Sequence, residues 1–394
     1  MKALGAGVVV LVLVLGAYGF GTMNASTVIS PPPAEWAEGN EAAQSWRQFT
    51  TSLEAAGARV FAATNDATER LEGLQFLTQI ASASLEMKLA KGSTGQPQLT
   101  DWMADYRKFL GDSPDAIYHT AELSPAHSYE IKGNRGAAEY LGFMLYGRQL
   151  NGWNRAAANL SGEALHFDSA GNFTIILSKT QPEAKEVNWL KLEDDVHMLM
   201  VRQYYHGRQG KNEASFSIHN VAQLSEASNT EAHVSAGLRN ATVFFNETMN
   251  GAIALSDMLA TAPNSIEPPS SYSADFGGIF YPTFDNEYFG GWFYLEDDEA
   301  LVIEGPVPKA PYWSVSLQNR WMQSFDSTGY QTALNDHNIE TENGQYRIVV
   351  SHRQPPSANW LNTAGKREGL LAIRYQLSES SVKPSLTLVK FDQL

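Results

Sequence analysis

The sequence has no cysteine and little positive charge, and both shortages exclude classes of protein. Without cysteine the chain has no disulfides, no thiolate metal sites and no cysteine nucleophile. Its 28 lysine and arginine residues are outnumbered by 43 aspartate and glutamate residues, which gives a net charge of −15. Nucleic-acid binding depends on basic side chains that neutralise phosphates. We therefore expect no nucleic-acid partner and no adhesion to anionic lipid through a basic face.

Common catalytic motifs are also missing from the chain. There is no Gly-x-Ser-x-Gly nucleophile elbow, no Walker phosphate loop and no His-Glu-x-x-His pair. The nine histidines are scattered and do not show the close spacing of metal ligands. These absences argue against the common hydrolase and zinc-enzyme families. They predict no metal site and indicate no particular cofactor.

Only one long apolar run occurs, and it lies at the start. Lys2 precedes the uncharged stretch Ala3–Met23, which is nearly long enough to cross a bilayer. A positive end before an apolar stretch is typical of a signal anchor or a signal peptide, which we place at residues 1–25. The charge order favours export of the rest of the chain. We expect a membrane-anchored envelope protein with its main domain outside the cytoplasm, or a secreted or periplasmic protein if the segment is cleaved.

The character of the sequence changes several times after this segment. Residues 26–40 contain three consecutive prolines and predict a stiff linker. Residues 41–111 show apolar residues at helical spacing, with a third short helix expected at Thr100–Leu110. Short apolar runs separated by turn residues predict strands at 112–206 and 284–394. The residues between, 207–283, are predicted to be a helical connector.

The two strand-rich stretches repeat the same markers in the same order, with Ile131 corresponding to Ile303 and Arg148 to Arg320. Each contains Ile-x-Gly, then a tyrosine and an arginine at matching distances, a Ser-x-x-Gln-Pro segment and an Asn-Trp-Leu segment. We interpret this as an internal duplication. The pattern predicts an α+β, mostly β fold. It consists of two tandem homologous antiparallel β-sandwich or jelly-roll units, with helical segments before each.

Duplicated arginines are the first candidates for a site. Arg148 and Arg320 end equivalent apolar runs, while Arg202 and Arg374 lie inside later strands. A guanidinium beside an apolar strand requires a carboxylate, a carbonyl or a bound anion. Arg148 and Arg320 are therefore expected to form either ion pairs within each sandwich or an anion clamp where the copies meet.

The stretch from Ser113 to Leu123 is the second candidate. Asp115 and His119 lie near the start of the first β unit and are a speculative catalytic acid–base pair, with Tyr118 beside them as a ligand contact. The alternative is an ordinary turn followed by a surface residue. The spacing that relates Arg148 to Arg320 places Glu287 opposite Asp115 and Gly291 opposite His119, so the two copies are expected to differ here.

Aromatic residues form the third candidate. The stretch Asp275–Ala300 is rich in them, and Tyr288, Trp292 and the later Trp321 are candidate ligand-binding residues. Core packing is the alternative for aromatic residues on strands. The acidic run Glu296–Glu299 is interpreted as an exposed hairpin tip, with a calcium loop as its alternative.

Two segments resemble a pair of bacterial domains. Gly111–Leu123, GDSPDAIYHTAEL, resembles a segment of proteins that carry the domain of unknown function numbered 1254. Gly305–Leu377, with its Asn-Arg-Trp and Asn-Trp-Leu motifs, is similar to the companion domain numbered 1214. The resemblance assigns the first β unit to 1254 and the second to 1214. It implies an exported envelope protein with two β domains and carries over no catalytic residues.

Three functions follow from these candidates. The leading prediction is an exported protein that binds a small anionic or sugar-like organic ligand between its repeats. The alternative is a hydrolase, possibly metal-assisted, that acts on ester or phosphate bonds through Asp115, His119 and an arginine. A third is a structural partner in the envelope. The expected partners are thus a small-molecule ligand and, through the N-terminal segment, a membrane, and the sequence gives no oligomeric state.

Overall fold

The structure of the chain is a computed structural model. It describes residues 33–90, 93–149, 152–184, 187–207, 212–222, 230–267, 280–281, 283–379 and 382–394. The predicted signal segment and most of the linker lie outside these residues. No helix in the described part of the chain is long and apolar enough to span a membrane.

Within these ranges the chain forms three α-helices, α1 at Glu41–Ala63, α2 at Ala67–Leu85 and α3 at Glu231–Ala260. Each begins at a side chain that accepts a backbone N–H of its first turn. Asn40 accepts from Ala43 at 2.7 Å, and Asp66 accepts from Glu69 at 2.8 Å. Thr230 caps α3 in the same way. These caps satisfy donors that a helix start leaves without partners, so they fix where each helix begins.

The described residues also form 19 strands. Those of the first half are β1 Thr100–Asp101, β2 Ala116–Glu122, β3 Tyr129–Asn134, β4 Tyr140–Arg148, β5 Asn154–Ser161, β6 Asn172–Ser178, β7 Asn188–Lys191, β8 Val196–Tyr204 and β9 Ser215–Asn220. Those of the second half are β10 Ser265–Glu267, β11 Asn286–Tyr294, β12 Glu299–Pro306, β13 Tyr312–Gln318, β14 Ala333–Asn335, β15 Thr341–Glu342, β16 Gln345–Ser351, β17 Trp360–Asn362, β18 Glu368–Gln376 and β19 Ser385–Lys390.

These strands form two sandwiches of the same topology. In the first β unit an inner sheet β1-β2-β8-β4-β5 faces an outer sheet β7-β6-β3-β9. In the second β unit the inner sheet is β10-β11-β18-β13-β14, and the outer sheet is β15-β16-β12-β19 with β17 beside β16. The matching strand orders confirm the predicted fold of two homologous, mostly antiparallel sandwiches preceded by helices.

The repeated Asn-Trp-Leu segments make the one parallel strand pair of each unit among the described strands, β6 with β7 and β16 with β17. Asn188 donates to the carbonyls of His166 and Thr174, at 2.9 and 3.1 Å. Asn359 donates to two carbonyls in the same way, at 2.7 and 3.0 Å. The repeated asparagine therefore ties a loop to a strand by side-chain hydrogen bonds. The motif is structural.

Strand register sets the equivalence of the two units more exactly than the spacing of motifs. Tyr118 pairs with Arg202 across β2 and β8, and Tyr288 pairs with Arg374 across β11 and β18. Tyr118 and Tyr288 are therefore equivalent, and so are Arg202 and Arg374. It follows that Asp115 is equivalent to Asp285. The predicted equivalence with Glu287 is wrong because the connections between the strands differ in length by two residues.

Three apolar cores hold the molecule together. One fills each sandwich, and the third lies between the two inner sheets and the helices. The third core joins Tyr204 of β8 and Tyr312 of β13, whose ring centroids are 4.7 Å apart. Helix α3 contributes Phe244, which packs edge-on against Trp102 at 5.3 Å. The units therefore meet through their inner sheets, under one layer of helices.

Two details of the predicted organisation are wrong. Thr100–Leu110 forms strand β1 followed by turns, because Thr100 and Asp101 pair with β2 rather than continuing the helices. The connector at 207–283 contains helix α3 as expected, but it also contains β9 and β10. These strands join the sheets of the first and second β units. Their short, isolated patterns do not stand out from loop sequence.

Candidate ligand cavity between the two units

A cavity of about 230 Å³ lies between the two inner sheets. The first inner sheet contributes residues of β2 and β8, and the second contributes residues of β11, β13 and β18. The strand residues in this lining include Tyr118, Met200, Arg202, Tyr288, Gln318 and Arg374. Residues of the segments that lead into β2 and β11 complete the wall, among them Gly111 and Tyr281.

Arg202 and Arg374 are the charged centres of this cavity. Their exposed fractions are 6% and 3%. Arg202 donates from Nη2 to the Tyr146 hydroxyl at 2.7 Å and to the Tyr281 carbonyl at 3.1 Å. Arg374 donates from Nη1 to the Ser316 hydroxyl at 3.2 Å, and from Nη2 to the carbonyls of Gly111 and Asp112.

These contacts follow the duplication. Gly111 and Tyr281 are equivalent in the register that relates Tyr118 to Tyr288, and both have a positive φ, of 75° and 53°. Arg202 therefore binds the backbone that leads into β11 of the second unit, and Arg374 binds the backbone that leads into β2 of the first unit. A positive φ is unusual for a tyrosine, and the Tyr281 carbonyl is fixed in this orientation by Arg202 and by the Tyr146 hydroxyl at 2.8 Å.

Neither guanidinium has a carboxylate within ion-pair distance among the described residues. Burial works against the charged form of Arg202, but neighbouring tyrosines favour it, and its pKa is raised. The pKa of Arg374 is raised for the same reasons. Arginine stays protonated at all physiological pH values. The cavity therefore carries two buried positive charges that carbonyls and hydroxyls solvate but do not neutralise.

Two carboxylates, Asp285 and Glu287, lie nearby without forming an ion pair with either arginine. Burial raises the pKa of Asp285, but hydrogen bonds from Tyr140 and Ser161 and the charge of Arg202 outweigh it, and the pKa is lowered overall. Its Oδ2 is occupied by those partners. Glu287 borders the cavity. Side chains alternate along β11, so that of Glu287 lies on the same sheet face as Phe289, which packs in the core of the second sandwich and not toward the cavity. Burial raises the pKa of Glu287.

Tyrosines surround the two arginines. Burial is the main cause that raises the pKa of Tyr118, Tyr204 and Tyr312, so these phenols stay neutral. The Tyr118 and Tyr204 hydroxyls are 3.5 Å apart. Neutral phenols supply hydrogen bonds and ring faces without adding negative charge. The arrangement suits an anion with an apolar or aromatic body.

A second set of equivalent contacts joins the two units. The Tyr312 hydroxyl donates to Asp115 Oδ2 at 2.9 Å, and the equivalent Tyr140 hydroxyl donates to Asp285 Oδ2. Asn335 also donates to Asp115, at 2.7 Å. Reciprocal contacts between equivalent residues are the signature of a two-fold interface. The duplicated units therefore pack about an approximate two-fold relation, with the cavity between them.

The structure separates the predicted acid–base pair. Asp115 binds Tyr312 and Asn335 of the second unit, whereas His119 lies 3.1 Å from Asp101 of β1. Burial lowers the pKa of His119 more than Asp101 raises it. Because Asp115 precedes β2 and His119 lies within it, the two side chains have different neighbours. The described contacts do not bring them together.

Arg148 and Arg320 lie outside the cavity lining. Arg320 pairs with Glu69 of α2 at 3.2 Å and with Asp257 of α3 at 2.8 Å. Arg148 is 4.0 Å from Glu247 of α3 and donates to the carbonyl of Gly152 at 2.7 Å. Both arginines at the ends of the duplicated runs therefore contact the helical layer. Their acidic partners come from helices rather than from within one sandwich, which the sequence did not predict.

The aromatic candidates divide into two groups. Tyr118 and Tyr288 line the cavity, where Arg374 lies over the Tyr288 ring at 6.0 Å. Trp292 is buried under Arg320 and donates to Glu368 at 2.8 Å. Trp321 is buried against α2 and donates to the carbonyl of Glu69 at 2.8 Å. The two tryptophans are therefore packing residues of the central core.

The site prediction from sequence named Arg202 and Arg374 among the duplicated arginines but selected Arg148 and Arg320 instead. The signal was present, because Arg202 and Arg374 are each a single charge in the middle of an apolar strand, in VHMLMVRQY and EGLLAIRYQ. Both runs are almost wholly buried. A charge inside a run that is buried on both faces has no route to solvent, so it marks a polar interior.

The described residues contain no group of three or more acidic or histidine side chains that could hold a metal ion. Lys390 pairs with Asp298 at 3.1 Å and with Glu299 at 3.3 Å, in the acidic run that was considered as a calcium loop. Asp298 and Glu299 are thus in contact with a cation supplied by strand β19.

The fold and cavity define a class of protein, namely two homologous β sandwiches with a buried, positively charged cavity between them. Comparison with known families makes this specific. The family "Protein of unknown function (DUF1214)" matches residues 118–208, and the family "Protein of unknown function (DUF1254)" matches residues 263–388. Both domains that the sequence resemblance named thus have a matching family model in this chain.

The order of the two domains is the reverse of the one inferred from the resemblance. The first β unit matches DUF1214 and the second matches DUF1254. The units are homologous and share Asn-Trp-Leu and the tyrosine and arginine markers. The assignment of Gly111–Leu123 to 1254 and of Gly305–Leu377 to 1214 was therefore wrong.

Two solved structures are similar to the chain to different degrees. An uncharacterised protein from Burkholderia cenocepacia is 27% identical, with a TM-score of 0.81 over 89% of this chain and 98% of that one. This likeness shows a shared fold. The VPA0106 protein from Vibrio parahaemolyticus is 12% identical, with a TM-score of 0.47 over 80% of this chain and 97% of that one. No curated protein matches the chain.

Proposed function

We propose that this chain is an exported protein that binds a small organic anion in the cavity between its two β units. One observation carries the proposal. Arg202 and Arg374, one from each unit, are buried in the lining of the same cavity, and no described carboxylate lies within ion-pair distance of either. A buried charge without an ion-pair partner is costly, and an anionic ligand would supply that partner.

The remainder of the lining supports a ligand with an organic body. The cavity is smaller than typical drug-sized pockets, which favours a small molecule. Its walls are mainly aromatic and apolar. Charge-assisted hydrogen bonds are stronger in such surroundings than in water. The neutral tyrosines add donors without repelling an anion.

The exported location is supported by the start of the chain. Lys2 and the uncharged run Ala3–Met23 are typical of a signal anchor or a cleaved signal peptide. A retained segment would hold the β units at the outer face of the membrane, and cleavage would release them to the periplasm or the medium. In both cases small organic acids outside the cytoplasm would reach the cavity.

Calorimetric melting of the full-length chain, purified in a non-ionic detergent, tests the proposal. The probes are acetate, benzoate, succinate, inorganic phosphate and glucose. We expect at least one anion to raise the melting temperature in a concentration-dependent way, because a ligand that binds only the native state stabilises it by mass action. A ligand at 100 times its Kd would add about 2.7 kcal/mol. Glucose serves as the uncharged comparison.

Two variants make the test specific to the cavity. Arg202→Met removes one buried guanidinium and is expected to abolish the ligand-dependent rise. Arg320→Met removes an arginine of the same duplicated sequence pattern that lies outside the cavity, so it should lower stability and leave the rise intact. An equal rise in the wild-type chain and in Arg202→Met, or no rise with any anion, would overturn the proposal.

The hydrolase remains an alternative prediction without a supporting contact. It requires Asp115 and His119 to act together, and each has a different partner in the described residues. No second function is proposed.

A further inference from the structure

The two cavity arginines differ in the donors that they have left for a ligand. Arg374 uses Nη1 and Nη2 on Ser316 and on two backbone carbonyls. Arg202 uses only Nη2, on the Tyr146 hydroxyl and the Tyr281 carbonyl. A guanidinium has five N–H groups on three nitrogens. Within the described chain the Nε and Nη1 groups of Arg202 have no partner, so Arg202 has the greater capacity to bind an anionic head group.

One wall of the cavity is apolar. Trp102, Met103 and Leu110 come from the segment before β2, Met200 comes from β8, and Phe280 lies before β11. Trp102 is fixed edge-on against Tyr281, with ring centroids 4.7 Å apart. Polar groups placed against such a wall would lose hydrogen bonds to water without replacement. The body of the ligand is therefore apolar, and the cavity volume of about 230 Å³ limits it to roughly a single ring.

Polar groups of the second unit form another part of the lining. Asn286 of β11 and Gln318 of β13 lie on the strand faces that carry Tyr288 and Tyr312, which is the face toward the cavity. The amide nitrogen and oxygen of Asn286 are buried without a hydrogen-bond partner, and so is Oε1 of Gln318. The Thr283 hydroxyl, also in the lining, has none either. Buried polar groups in native proteins are rarely left in this state.

These groups define what would satisfy them. Asn286 supplies both a donor and an acceptor, and Gln318 supplies an acceptor. A hydroxyl group both donates and accepts, so one ligand hydroxyl serves these groups. In the equivalent position of the first unit Gln318 is replaced by Tyr146, which binds Arg202. The two equivalent positions therefore differ in role. Tyr146 orients Arg202, whereas Gln318 has an acceptor left for a ligand.

We infer that the cavity selects a small aromatic or alicyclic carboxylic acid that carries a hydroxyl group. Its carboxylate binds Arg202, its ring packs on the wall of Trp102 and Met200, and its hydroxyl binds Asn286 and Gln318. This inference rests on the proposed function and names the ligand class of the same site. A site built to hydrogen-bond a hydroxyl discriminates strongly against the analogue without it, because its own polar groups then stay without partners.

Isothermal titration calorimetry of the full-length chain with 4-hydroxybenzoate and benzoate tests this. We expect 4-hydroxybenzoate to bind about tenfold or more tightly than benzoate. In Gln318→Leu and Asn286→Leu the affinity for 4-hydroxybenzoate should fall to about that for benzoate. The affinity for benzoate itself should change little. In Arg202→Met both acids should lose measurable affinity. The comparison of the two acids on the wild-type chain stands even if a variant does not fold.

The outcomes separate the two proposals. Equal affinity for the two acids in the wild-type chain would overturn the hydroxyl selection and leave anion binding intact. Binding of succinate or inorganic phosphate with no binding of either aromatic acid would overturn the apolar body, again with anion binding intact. No binding of either aromatic acid or of acetate, succinate or inorganic phosphate would overturn the proposed function and this inference together.

Discussion

The hydroxyl of Tyr312 donates a hydrogen bond of 2.9 Å to Oδ2 of Asp115, across the boundary between the two β units. The equivalent bond runs the other way, from Tyr140 to Asp285. The second unit thus binds Asp115, which precedes β2, and the first unit binds Asp285, which precedes β11. Arg202 binds Tyr281, four residues before Asp285, and Arg374 binds Gly111, four residues before Asp115. Because these arginines line the cavity, the contacts that join the units also shape it.

Removal of either phenol hydroxyl should loosen this junction. In Tyr312→Phe the carboxylate of Asp115 keeps Asn335 but loses one donor, and in Tyr140→Phe the carboxylate of Asp285 loses one of its donors. Hydrogen bonds to charged groups contribute about 1.5–3 kcal/mol. We expect each variant to lose about that much free energy of unfolding, measured by urea denaturation.

Tyr106→Phe provides the matched control for both variants. Tyr106 is 74% exposed, and a surface substitution of this kind changes stability by about 0.5 kcal/mol or less. If Tyr312→Phe and Tyr140→Phe unfold at the same urea concentration as Tyr106→Phe, the two bonds contribute nothing to the junction.

The two cavity arginines should differ in their effect on stability. Arg374→Met leaves the carbonyl of Gly111 and the Ser316 hydroxyl without their donor, while the carbonyl of Asp112 keeps its bond from Gln318. Each unsatisfied buried group costs about 1–3 kcal/mol. We therefore expect a loss of at least about 2 kcal/mol for Arg374→Met, seen as a lower melting temperature without added ligand. Arg202→Met should lose less, because the carbonyl of Tyr281 keeps its bond from Tyr146.

Arg347→Met serves as the comparison for these two variants. Arg347 is partly exposed and forms a 3.4 Å surface pair with Glu304. Surface pairs contribute about 0–1 kcal/mol. A loss for Arg374→Met no greater than that for Arg347→Met would contradict its positioning role.

The sequence was sufficient for the architecture because the duplicated motifs have duplicated structural roles. Asn188 and Asn359 each tie a loop to a strand, so the repeat of Asn-Trp-Leu predicted two copies of one sandwich. The site was harder to predict. The spacing that relates Arg202 to Arg374 in β8 and β18 does not hold for β2 and β11, where it is wrong by two residues. The equivalence of Asp115 and Asp285 was therefore not visible in the sequence.

The choice of arginines failed for a different reason. Arg148 and Arg320 share a sequence position, but their partners come from α2 and α3, and contacts between distant segments have no local signature. Arg202 and Arg374 reach the cavity because β8 and β18 lie at the centre of the inner sheets. Which strand is central depends on the pairing order, which the spacing of motifs does not encode.

Stability should fall in mild acid through His197. This side chain is 3.0 Å from Asn154, and burial together with the charges of Arg148 and Lys88 lowers its pKa from 6.5 to about 3. The nearby Asp195 opposes this shift only in part. Below pH 6.5 the unfolded chain gains a proton at His197 that the folded chain does not. The contribution of neutral His197 is thus present above pH 6.5 and is lost as the pH falls toward about 3.

The slope from this one group is at most about 1.4 kcal/mol per pH unit. We expect His197→Gln to have a flatter fall in melting temperature between about pH 7 and pH 5 than the wild-type chain. The same change at the exposed His219 should leave the wild-type slope in place. Parallel pH profiles for the wild-type chain and His197→Gln would show that His197 is not the group responsible.

Two helix glycines should respond in opposite directions to alanine. Glycine inside a helix costs about 0.5–1 kcal/mol relative to alanine, so the substitution stabilises where there is space. At Gly57 in α1 an added Cβ would have no atom within 4 Å. At Gly73 in α2 it would lie 2.5 Å from Val60 and 2.6 Å from Trp321, and overpacking of a core costs about 1–3 kcal/mol. We expect Gly57→Ala to raise the urea midpoint and Gly73→Ala to lower it.

Because both changes have the same effect on helix propensity, the difference between them measures the close approach of α2 to Trp321. Equal shifts would mean that α2 has room to move away from the second β unit.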